Sequence, residues 1–355
     1  MHTDNSQVTQ RGTLLEYPLP IPAARARVQE IVPGVLWARM PMPMKLDHIN
    51  VYLLEDTDGW YLVDTGLPNA ATRQLWQELV ETALGNKPLK GLICTHFHYD
   101  HAGLAPWLTA FYNIPLLMTF GEYFYMRSAG VRRDGPMIAQ LTEFYRLGGV
   151  PPSEISAMLM AVDKDPFMGQ VPMRFNRLID GQRLAIGAGS WQVVTTAGHS
   201  PEHACLWCEE HKILIAGDQL LPEISSNVLV TDIEPQANPL KCWLASLQRL
   251  KALPADTLIL PAHGPVFIGA HQRIDSLALH HRQQLDKLAQ MLTDTGGVTL
   301  YQATMQLFTR SLGPIERMMA IGETAAHLNW LIDAGRVTKA TDSDGVDQYY
   351  YKNNQ

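Results

Sequence analysis

Metal-ligating side chains crowd one short stretch of this chain, where four of them lie within six positions: His96, His98, Asp100 and His101. The preceding residues 90–94 are short and mainly apolar, as expected of a buried strand. His96 and His98 are two positions apart, so both can point the same way as the chain leaves the strand. Imidazole and carboxylate ligands together suit zinc, manganese or iron. The stretch therefore predicts a metal site at a strand end, with more donors than one closed structural site would use.

Three later segments share one design, a strand-like run followed by a small residue and then a single metal ligand. The ligands are His199, Asp218 and His263, and the residues before them are glycine, glycine and alanine. Glycine at this place lets the backbone approach a crowded site. One such segment is weak evidence. Three in order after a histidine-rich loop predict that all of them contribute to the same metal centre.

This order of motifs resembles the metallo-β-lactamase superfamily in its glyoxalase-II-like, two-metal form, over about residues 30–270. The resemblance implies an α/β fold, the αββα sandwich, in which loops at one edge of the sheets carry the ligands. It also implies a complete ligand set: His96, His98 and His199 for the first metal, Asp100, His101 and His263 for the second, and Asp218 between the two. Strand-like segments at 50–54 and 60–63, and a helix capped by Asn69, fit such a fold.

The resemblance also implies roles in catalysis. Two metals would share a hydroxide that attacks the substrate, with Asp100 orienting the hydroxide and Asp218 bridging the metals. Asp64, in the Val-Asp-Thr-Gly segment at 63–66, and His203 are expected to support the site without binding metal. Zinc is the expected metal, with iron or manganese as alternatives. The aspartate at 218 argues against penicillin hydrolysis, because true metallo-β-lactamases lack this bridging carboxylate.

Composition limits the remaining possibilities. The 355 residues are enough for two domains, and 46% hydrophobic with 18% charged residues is ordinary for a globular protein. A formal net charge of -7 without a polybasic run disfavours nucleic-acid binding through phosphates. The 4 cysteines are expected to be reduced core residues. No signal peptide and no apolar run of about 20 residues is found, which predicts a cytoplasmic protein without a membrane span.

Residues 120–175 form a long insertion after the histidine motif, helical in pattern and rich in methionine and aromatic residues. We interpret this insertion as a helical cap over the metal centre that lines an apolar substrate pocket, because methionine adapts to varied shapes. The predicted substrate contacts are Tyr123, Tyr125 and Met126, together with Asn227 in the loop after the bridging aspartate. The alternative, which is compatible with a cap, is an insertion that buries its own core or forms a homodimer interface.

A second domain is predicted at residues 275–355, after a catalytic domain at 1–274. Its three helices and an Asp-Gly hairpin turn resemble the winged-helix domain attached to one branch of the superfamily. Charges near the hairpin are mixed, so we expect the domain to pack against the catalytic domain rather than to bind DNA. His280 and His281 are expected on a helix surface or at an interface, not as metal ligands.

The sequence therefore predicts a metallo-hydrolase whose substrate is a small molecule with an apolar part. An acyl thioester of the acyl-CoA or acylglutathione type is the first choice, because of the apolar cap and the glyoxalase-II-like ligand set. A lactone or other carboxyl ester is the second choice. Phosphodiester or RNA cleavage is a third reading, drawn from the winged-helix branch and weakened by the acidic balance. A metal-binding regulator without activity is the non-enzymatic alternative, and the complete ligand set argues against it.

Overall fold

The computed structural model describes residues 6–8, 14–23, 27–44, 46–85, 87–129, 135–161 and 167–352, which form two compact units. The first unit comprises Met1–Val131, Asp165–Ser226 and Leu247–Asp275. The second comprises Arg132–Lys164, Asn227–Ser246 and Ser276–Gln355. Each unit thus draws on three separate segments. The domain limits at 1–274 and 275–355, which follow the order of the chain, stay a prediction.

Two β-sheets make up most of the first unit. Its strands, in chain order, are β1 (Ser6–Val8), β2 (Leu14–Glu16), β3 (Val28–Val32), β4 (Val35–Pro41), β5 (His48–Glu55), β6 (Trp60–Val63), β7 (Leu89–Ile93), β8 (Leu116–Thr119), β9 (Asn176–Leu178), β10 (Arg183–Ile186), β11 (Gly189–Thr196), β12 (His203–Cys208), β13 (Ile213–Gly217), β14 (Leu258–Pro261) and β15 (Phe267–Ile268).

The seven-stranded sheet has the order β3-β4-β5-β6-β7-β8-β9. The first four of these strands pair as antiparallel neighbours, and the β5–β6 hairpin is the one predicted around residues 56–59. β6, β7, β8 and β9 pair in parallel. Because parallel strands end at the same edge of a sheet, the residues that follow β6, β7 and β8 meet there, and so does the start of β5.

The eight-stranded sheet has the order β1-β2-β15-β14-β13-β12-β11-β10. Its strands are antiparallel neighbours except for β13 and β14, which are parallel. The ends of β11, β13 and β14 and the start of β12 therefore lie along one edge. The predicted ligands His199, Asp218 and His263 follow the ends of β11, β13 and β14, and His203 is the first residue of β12.

The helices, in chain order, are α1 (Ala70–Thr82), α2 (Tyr99–Ala102), α3 (Ala105–Tyr112), α4 (Phe120–Ala129), α5 (Gly135–Leu147), α6 (Pro152–Ala161), α7 (Pro239–Leu250), α8 (Ala270–Thr295), α9 (Leu300–Leu307) and α10 (Pro314–Asp333). Asn69 caps α1 as predicted, since its side chain accepts a hydrogen bond from the backbone N–H of Thr72 at 2.9 Å. No helix among the described residues is long and apolar enough to cross a membrane.

Two apolar cores hold the first unit together. One lies between the sheets, where Trp37 and Tyr52 of the seven-stranded sheet pack with Trp191 and Leu206 of the eight-stranded sheet. The other lies on the opposite face of the seven-stranded sheet, which α1, α3 and α4 cover with large apolar side chains that include Trp76, Leu108 and Met126. Each core removes many apolar side chains from water, the dominant stabilising contribution in a fold of this kind.

The second unit contains α5, α6, α9 and α10, the first part of α7 and most of α8. Its three-stranded antiparallel sheet has β18 (Asp347–Tyr351) between β16 (Val298–Thr299) and β17 (Val337–Thr341). Arg317 of α10 forms an ion pair with Glu154 of α6. Residues 120–175 contain α4, α5 and α6, which are divided between the two units, and the interpretation of this segment as a cap insertion stays a prediction. Residues 130–134 and 162–166 of that insertion lie outside the described residues.

Candidate metal centre

The first donor group consists of three imidazole rings from the two sheets of the first unit: His96, His98 and His199. His96 Nε2 lies 2.8 Å from His98 Nδ1 and 3.1 Å from His199 Nε2, and the last two nitrogens are 3.1 Å apart. Two nitrogens bound to one zinc ion at 2.0–2.1 Å lie about 3.3 Å apart in a tetrahedral site. The three nitrogens therefore converge at nearly the spacing that a single ion requires.

The second donor group consists of Asp100, His101 and His263. Asp100 Oδ2 lies 3.6 Å from His101 Nε2 and 3.4 Å from His263 Nε2. All three side chains are nearly or wholly buried, so their polar atoms face one another rather than water. These atoms lie close enough together to hold a second ion.

Asp218 lies between the two donor groups. Its Oδ1 is 3.5 Å from His101 Nε2 and 3.4 Å from His263 Nε2, both in the second donor group. Its Oδ2 is 3.4 Å from His199 Nε2 in the first donor group. One carboxylate thus presents one oxygen to each group. The sequence-predicted ligands are brought together at one sheet edge, and their role as ligands stays a prediction.

Asp64 lies behind the two donor groups and contacts the histidine loop. Its Oδ2 accepts a hydrogen bond from His101 Nδ1 at 2.8 Å, and its Oδ1 accepts one from the backbone N–H of Thr95 at the same distance. In the neutral form of the ring, this hydrogen bond keeps the proton on Nδ1, so the lone pair of His101 Nε2 faces the second donor group. Asp64 adopts a left-handed backbone conformation with φ 64°, which places its carboxylate beneath the histidine loop.

His203 contacts the backbone of Asp218. Its Nε2 accepts a hydrogen bond from the backbone N–H of Asp218 at 3.1 Å, so this nitrogen is directed at the backbone and not at the donor groups. Gly217, with φ 49°, makes this approach feasible, because a Cβ at residue 217 would lie 2.5 Å from His203 Nε2. A side chain at residue 217 would therefore displace the His203 ring from the backbone of Asp218.

His263 is oriented by the seven-stranded sheet. Its Nδ1 donates to the backbone oxygen of His48 at 2.8 Å, which leaves Nε2 for the second donor group. The ring of His48 accepts the N–H of Gly264 at 2.9 Å in return. Asn50 fixes the same loop by donating to the backbone oxygen of Gly264 at 2.8 Å. His48 and Asn50 were not predicted as site residues. The signal that could have identified them is the antiparallel β5–β6 hairpin, which places the start of β5 beside the end of β6.

Glu122 is a further residue that sequence reasoning missed. It lies in the first turn of α4, directly after β8, and its side chain is 0% exposed. Its Oε2 accepts the N–H of Phe97 at 3.0 Å and its Oε1 accepts the N–H of Glu202 at 2.7 Å. Burial raises the pKa of Glu122 to about 7, although both backbone hydrogen bonds lower it. One side chain thus ties the histidine loop to the loop that carries His199.

Charge is distributed unequally over the two donor groups. Burial, reinforced by the neighbouring histidines, lowers the pKa of His98 to about 3. Burial opposes a charge on His101 as well, but the carboxylates of Asp100, Asp218 and Asp64 outweigh it and raise the pKa of His101 well above its usual range. Burial likewise raises the pKa of Asp100, yet His101 and His263 outweigh it and lower that pKa to about 2. The carboxylates around the second donor group therefore attract positive charge.

Comparison with known proteins identifies the family. The sequence pattern of the Metallo-beta-lactamase superfamily matches residues 44–263, and that of the Metallo-beta-lactamase-like C-terminal domain matches residues 285–352. The chain belongs to the metallo-β-lactamase superfamily. This confirms the predicted family, the mixed α/β fold with two sheets flanked by helices, and the assignment of the chain as a metallo-hydrolase.

The similarity to known proteins extends over most of the chain. A crystal structure of a β-lactamase domain protein from Burkholderia ambifaria has 37% sequence identity and a TM-score of 0.88, and the match covers 95% of this chain and 98% of that one. A probable metallo-hydrolase of Bacillus subtilis, YqjP, is 26% identical over 90% of this chain and 97% of its own length. An atrochrysone carboxyl ACP thioesterase of Cryptosporiopsis is 26% identical over 87% of this chain and 83% of its own length.

The donor atoms fit the divalent metals that this superfamily binds. His101 Nε2 and Asp218 Oδ1 are buried without a hydrogen-bond partner, which is costly for polar atoms unless a cation satisfies them. Imidazole nitrogens and carboxylate oxygens suit a borderline metal such as zinc, iron or manganese. The residues present could therefore hold metal at both donor groups.

The four residues predicted to contact substrate differ in their burial and in the unit to which they belong. Tyr123 and Met126 are 2% and 0% exposed and pack in the core beneath the seven-stranded sheet, so the structure gives their expected contact with substrate no support. Tyr125 is half-buried, and its ring centroid lies 5.3 Å from that of Phe97. Asn227 belongs to the second unit.

Proposed function

We propose that the chain is a hydrolase with a two-metal centre whose substrate is an acyl thioester of the acyl-CoA or acylglutathione type. The observation that carries the two-metal part is the position of Asp218, whose two oxygens face different donor groups at 3.4–3.5 Å. A carboxylate shared in this way is suited to hold two ions at a fixed separation.

The proposed chemistry divides between the metals and the side chains. Two bound divalent ions, with zinc expected and iron or manganese as alternatives, would lower the pKa of a water molecule and polarise the substrate carbonyl. Asp100 would orient that water and accept its proton, since its carboxylate lies at the second donor group. Asp64 and His203 would keep His101 and the Asp218 backbone in place.

The thioester part of the proposal is supported by two observations. A relative that matches 87% of this chain is named an ACP thioesterase. In the structure, the half-buried ring of Phe97 lies 4.6 Å from the ring of His98 and 5.3 Å from that of Tyr125, measured between centroids. Aromatic side chains beside the first donor group would contact the apolar part of an acyl substrate. The partner is thus a small molecule, while a homodimer and a cytoplasmic location stay predictions.

The test is hydrolysis of a substrate panel by metal-loaded protein. The panel contains acyl-CoAs of several chain lengths, an acylglutathione, an acyl-homoserine lactone, a phosphodiester and single-stranded RNA. We expect thioester turnover, and we expect Asp218→Ala to reduce kcat/KM at least about 10³-fold, because the loss of a metal-centre ligand costs several kcal/mol in the transition state. Asp58→Ala, at a carboxylate that is 74% exposed, is the matched control and should keep full activity.

Each outcome of the panel has a distinct meaning. Thioester turnover that depends on the ligands supports the whole proposal. Hydrolysis of the lactone, the phosphodiester or the RNA alone would agree with a two-metal hydrolase but would contradict the thioester as its substrate. Full activity of Asp218→Ala, in protein of known metal content, would contradict the assignment of the metal centre itself.

A further inference from the structure

The second unit contains its own group of metal-ligating side chains, which the proposed function does not use. His281 lies on α8, and Glu323 and His327 lie on α10. One donor atom from each of these three residues lies within 4.8 Å of the other two. Glu323 and His327 are four positions apart, so they share one face of their helix.

The two histidines are buried, and their nitrogens are close. His281 is 1% exposed and His327 is 2% exposed, so His281 lies between helices and not on a helix surface. His281 Nδ1 and His327 Nε2 are 3.1 Å apart. This equals two of the nitrogen separations in the first donor group, and it is close to the value of about 3.3 Å for two nitrogens on one tetrahedral zinc ion.

The tautomer of His327 is fixed by its own helix. Its Nδ1 donates to the backbone oxygen of Glu323 at 2.7 Å, so the lone pair of the neutral ring is on Nε2 and faces His281. Burial lowers the pKa of His327, which favours this neutral form. A backbone oxygen that holds the second imidazole nitrogen is the usual support of a metal-binding histidine.

Glu323 supplies the negative charge that a cation would require. Its side chain is partly exposed, and its carboxyl group makes no hydrogen bond or ion pair with any residue that the structure describes. Partial burial raises the pKa of Glu323 to about 7. A hydrogen bond between the two rings would explain their 3.1 Å separation but would leave this carboxyl group to water alone. A divalent ion accounts for both, because a carboxylate beside it no longer carries an uncompensated charge.

We propose that His281, Glu323 and His327 bind one divalent ion of the zinc class, in a site separate from the catalytic centre. Two imidazoles and one carboxylate are ligands that zinc accepts, and a water molecule would complete four-coordination. The ion would join α8 to α10 within the second unit. Its role is structural, since binding free energy for the folded state adds to stability.

The test is the zinc content of the full-length chain after dialysis against a buffered free-zinc concentration. His281→Gln, His327→Gln and Glu323→Gln should each retain one zinc ion per chain fewer than the wild type. His280→Gln is the matched control, because this neighbouring histidine is outside the donor set, and it should retain the wild-type amount. The test compares the zinc content of each variant with that of the wild type. The result therefore does not depend on whether the catalytic centre holds one ion or two.

Thermal unfolding provides the second readout. Zinc should raise the Tm of Glu323→Gln less than that of the wild type, since the glutamine keeps the shape of the side chain and loses the charge. Equal zinc content and equal zinc-induced shifts in wild type and Glu323→Gln would overturn the proposal and leave a histidine–histidine hydrogen bond. If the histidine variants do not fold, as judged by circular dichroism, Glu323→Gln alone decides the outcome.

Discussion

At the scale of single residues, the orientation of His101 depends on Asp64. One oxygen of the Asp64 carboxylate accepts a hydrogen bond from His101 Nδ1, and the other accepts one from the Thr95 backbone. In the neutral imidazole, the proton is therefore held on Nδ1 and not on Nε2. An unprotonated Nε2 is a requirement for metal binding, because a protonated nitrogen has no lone pair. Asp64 therefore acts on the metal centre without touching the ion.

Asp64→Asn tests this dependence. Asparagine tolerates the left-handed conformation and can still accept from Thr95, but its NH₂ group would face His101 Nδ1 and force the proton onto Nε2. We expect roughly a 10–100-fold loss of metal affinity, measured by competition with a chromophoric chelator. Asp58→Asn makes the same chemical change at an exposed position and should leave affinity unchanged. Equal affinities in all three proteins would show that Asp64 does not set the tautomer.

The predicted donor residues could be identified from the sequence because each lies in the segment that follows a strand. Asp218 follows β13 immediately, and His263 comes two residues after β14. Predicting where these strands end therefore also predicts where the donor residues lie. Glu122 also follows a strand closely, yet a glutamate in the first turn of a helix is ordinary in any sequence. Only the neighbouring positions of β7 and β8 in the sheet reveal what it binds.

At the scale of elements, α4 joins two loops that come from different sheets. Its Glu122 accepts a backbone N–H from the histidine loop and another from the loop between β11 and β12. Gly121 at the same helix start donates its N–H to Glu202 Oε2 at 2.7 Å. The start of α4 is thus an anchor for the metal centre, while its middle packs in the core.

Glu122→Gln should weaken this anchor. A glutamine has one acceptor oxygen, so its NH₂ group must face one of the two backbone N–H donors that the glutamate satisfied. We expect the free energy of unfolding to fall by about 1–3 kcal/mol, the cost of a buried donor without a partner, as measured by urea denaturation. Glu78→Gln on the exposed face of α1 is the control. An unchanged midpoint for Glu122→Gln would mean that the loops hold their positions without α4.

The elements of the second unit were harder to place from sequence. Helical periodicity correctly indicates helices before and after the catalytic motifs, but it carries no information about which helices pack together. α5 and α6 were expected as parts of one cap. In the structure they pack with each other, and α6 packs with α10, which the sequence did not indicate. The His281, Glu323 and His327 group was missed for the same reason, since its members lie on two helices far apart in the chain.

At the scale of the whole molecule, the metal centre connects distant parts of the chain. Its donor residues come from four segments, around residues 96–101, 199, 218 and 263, and from both sheets. Ions bound at these residues would cross-link the folded catalytic unit and would have no equivalent site in the unfolded chain. Stability should then depend on the free metal concentration.

Chelation measures this dependence, and His327→Gln is the protein to use because it lacks a donor of the second proposed site. We expect zinc at 100 times its dissociation constant to add about 2.7 kcal/mol per ion, and its removal to lower Tm by roughly 5–10 °C. The Tm should recover when zinc is restored. When His327→Gln also carries His96→Ala and Asp218→Ala, the chelator should have little effect, and a shift of full size there would place the stabilising ion elsewhere.

The division of the chain between the two units has a consequence for its synthesis. Residues 132–164 and 227–246 leave the ribosome before the last segment, Ser276–Gln355, with which they form the second unit. The first unit contains no residue beyond Asp275, so it can be completed while the second still lacks most of α8 and all of α9 and α10. Until α10 is synthesised, the side of α6 that packs against α10 stays uncovered. A nascent chain that pauses at this stage is therefore expected to aggregate through that side of α6.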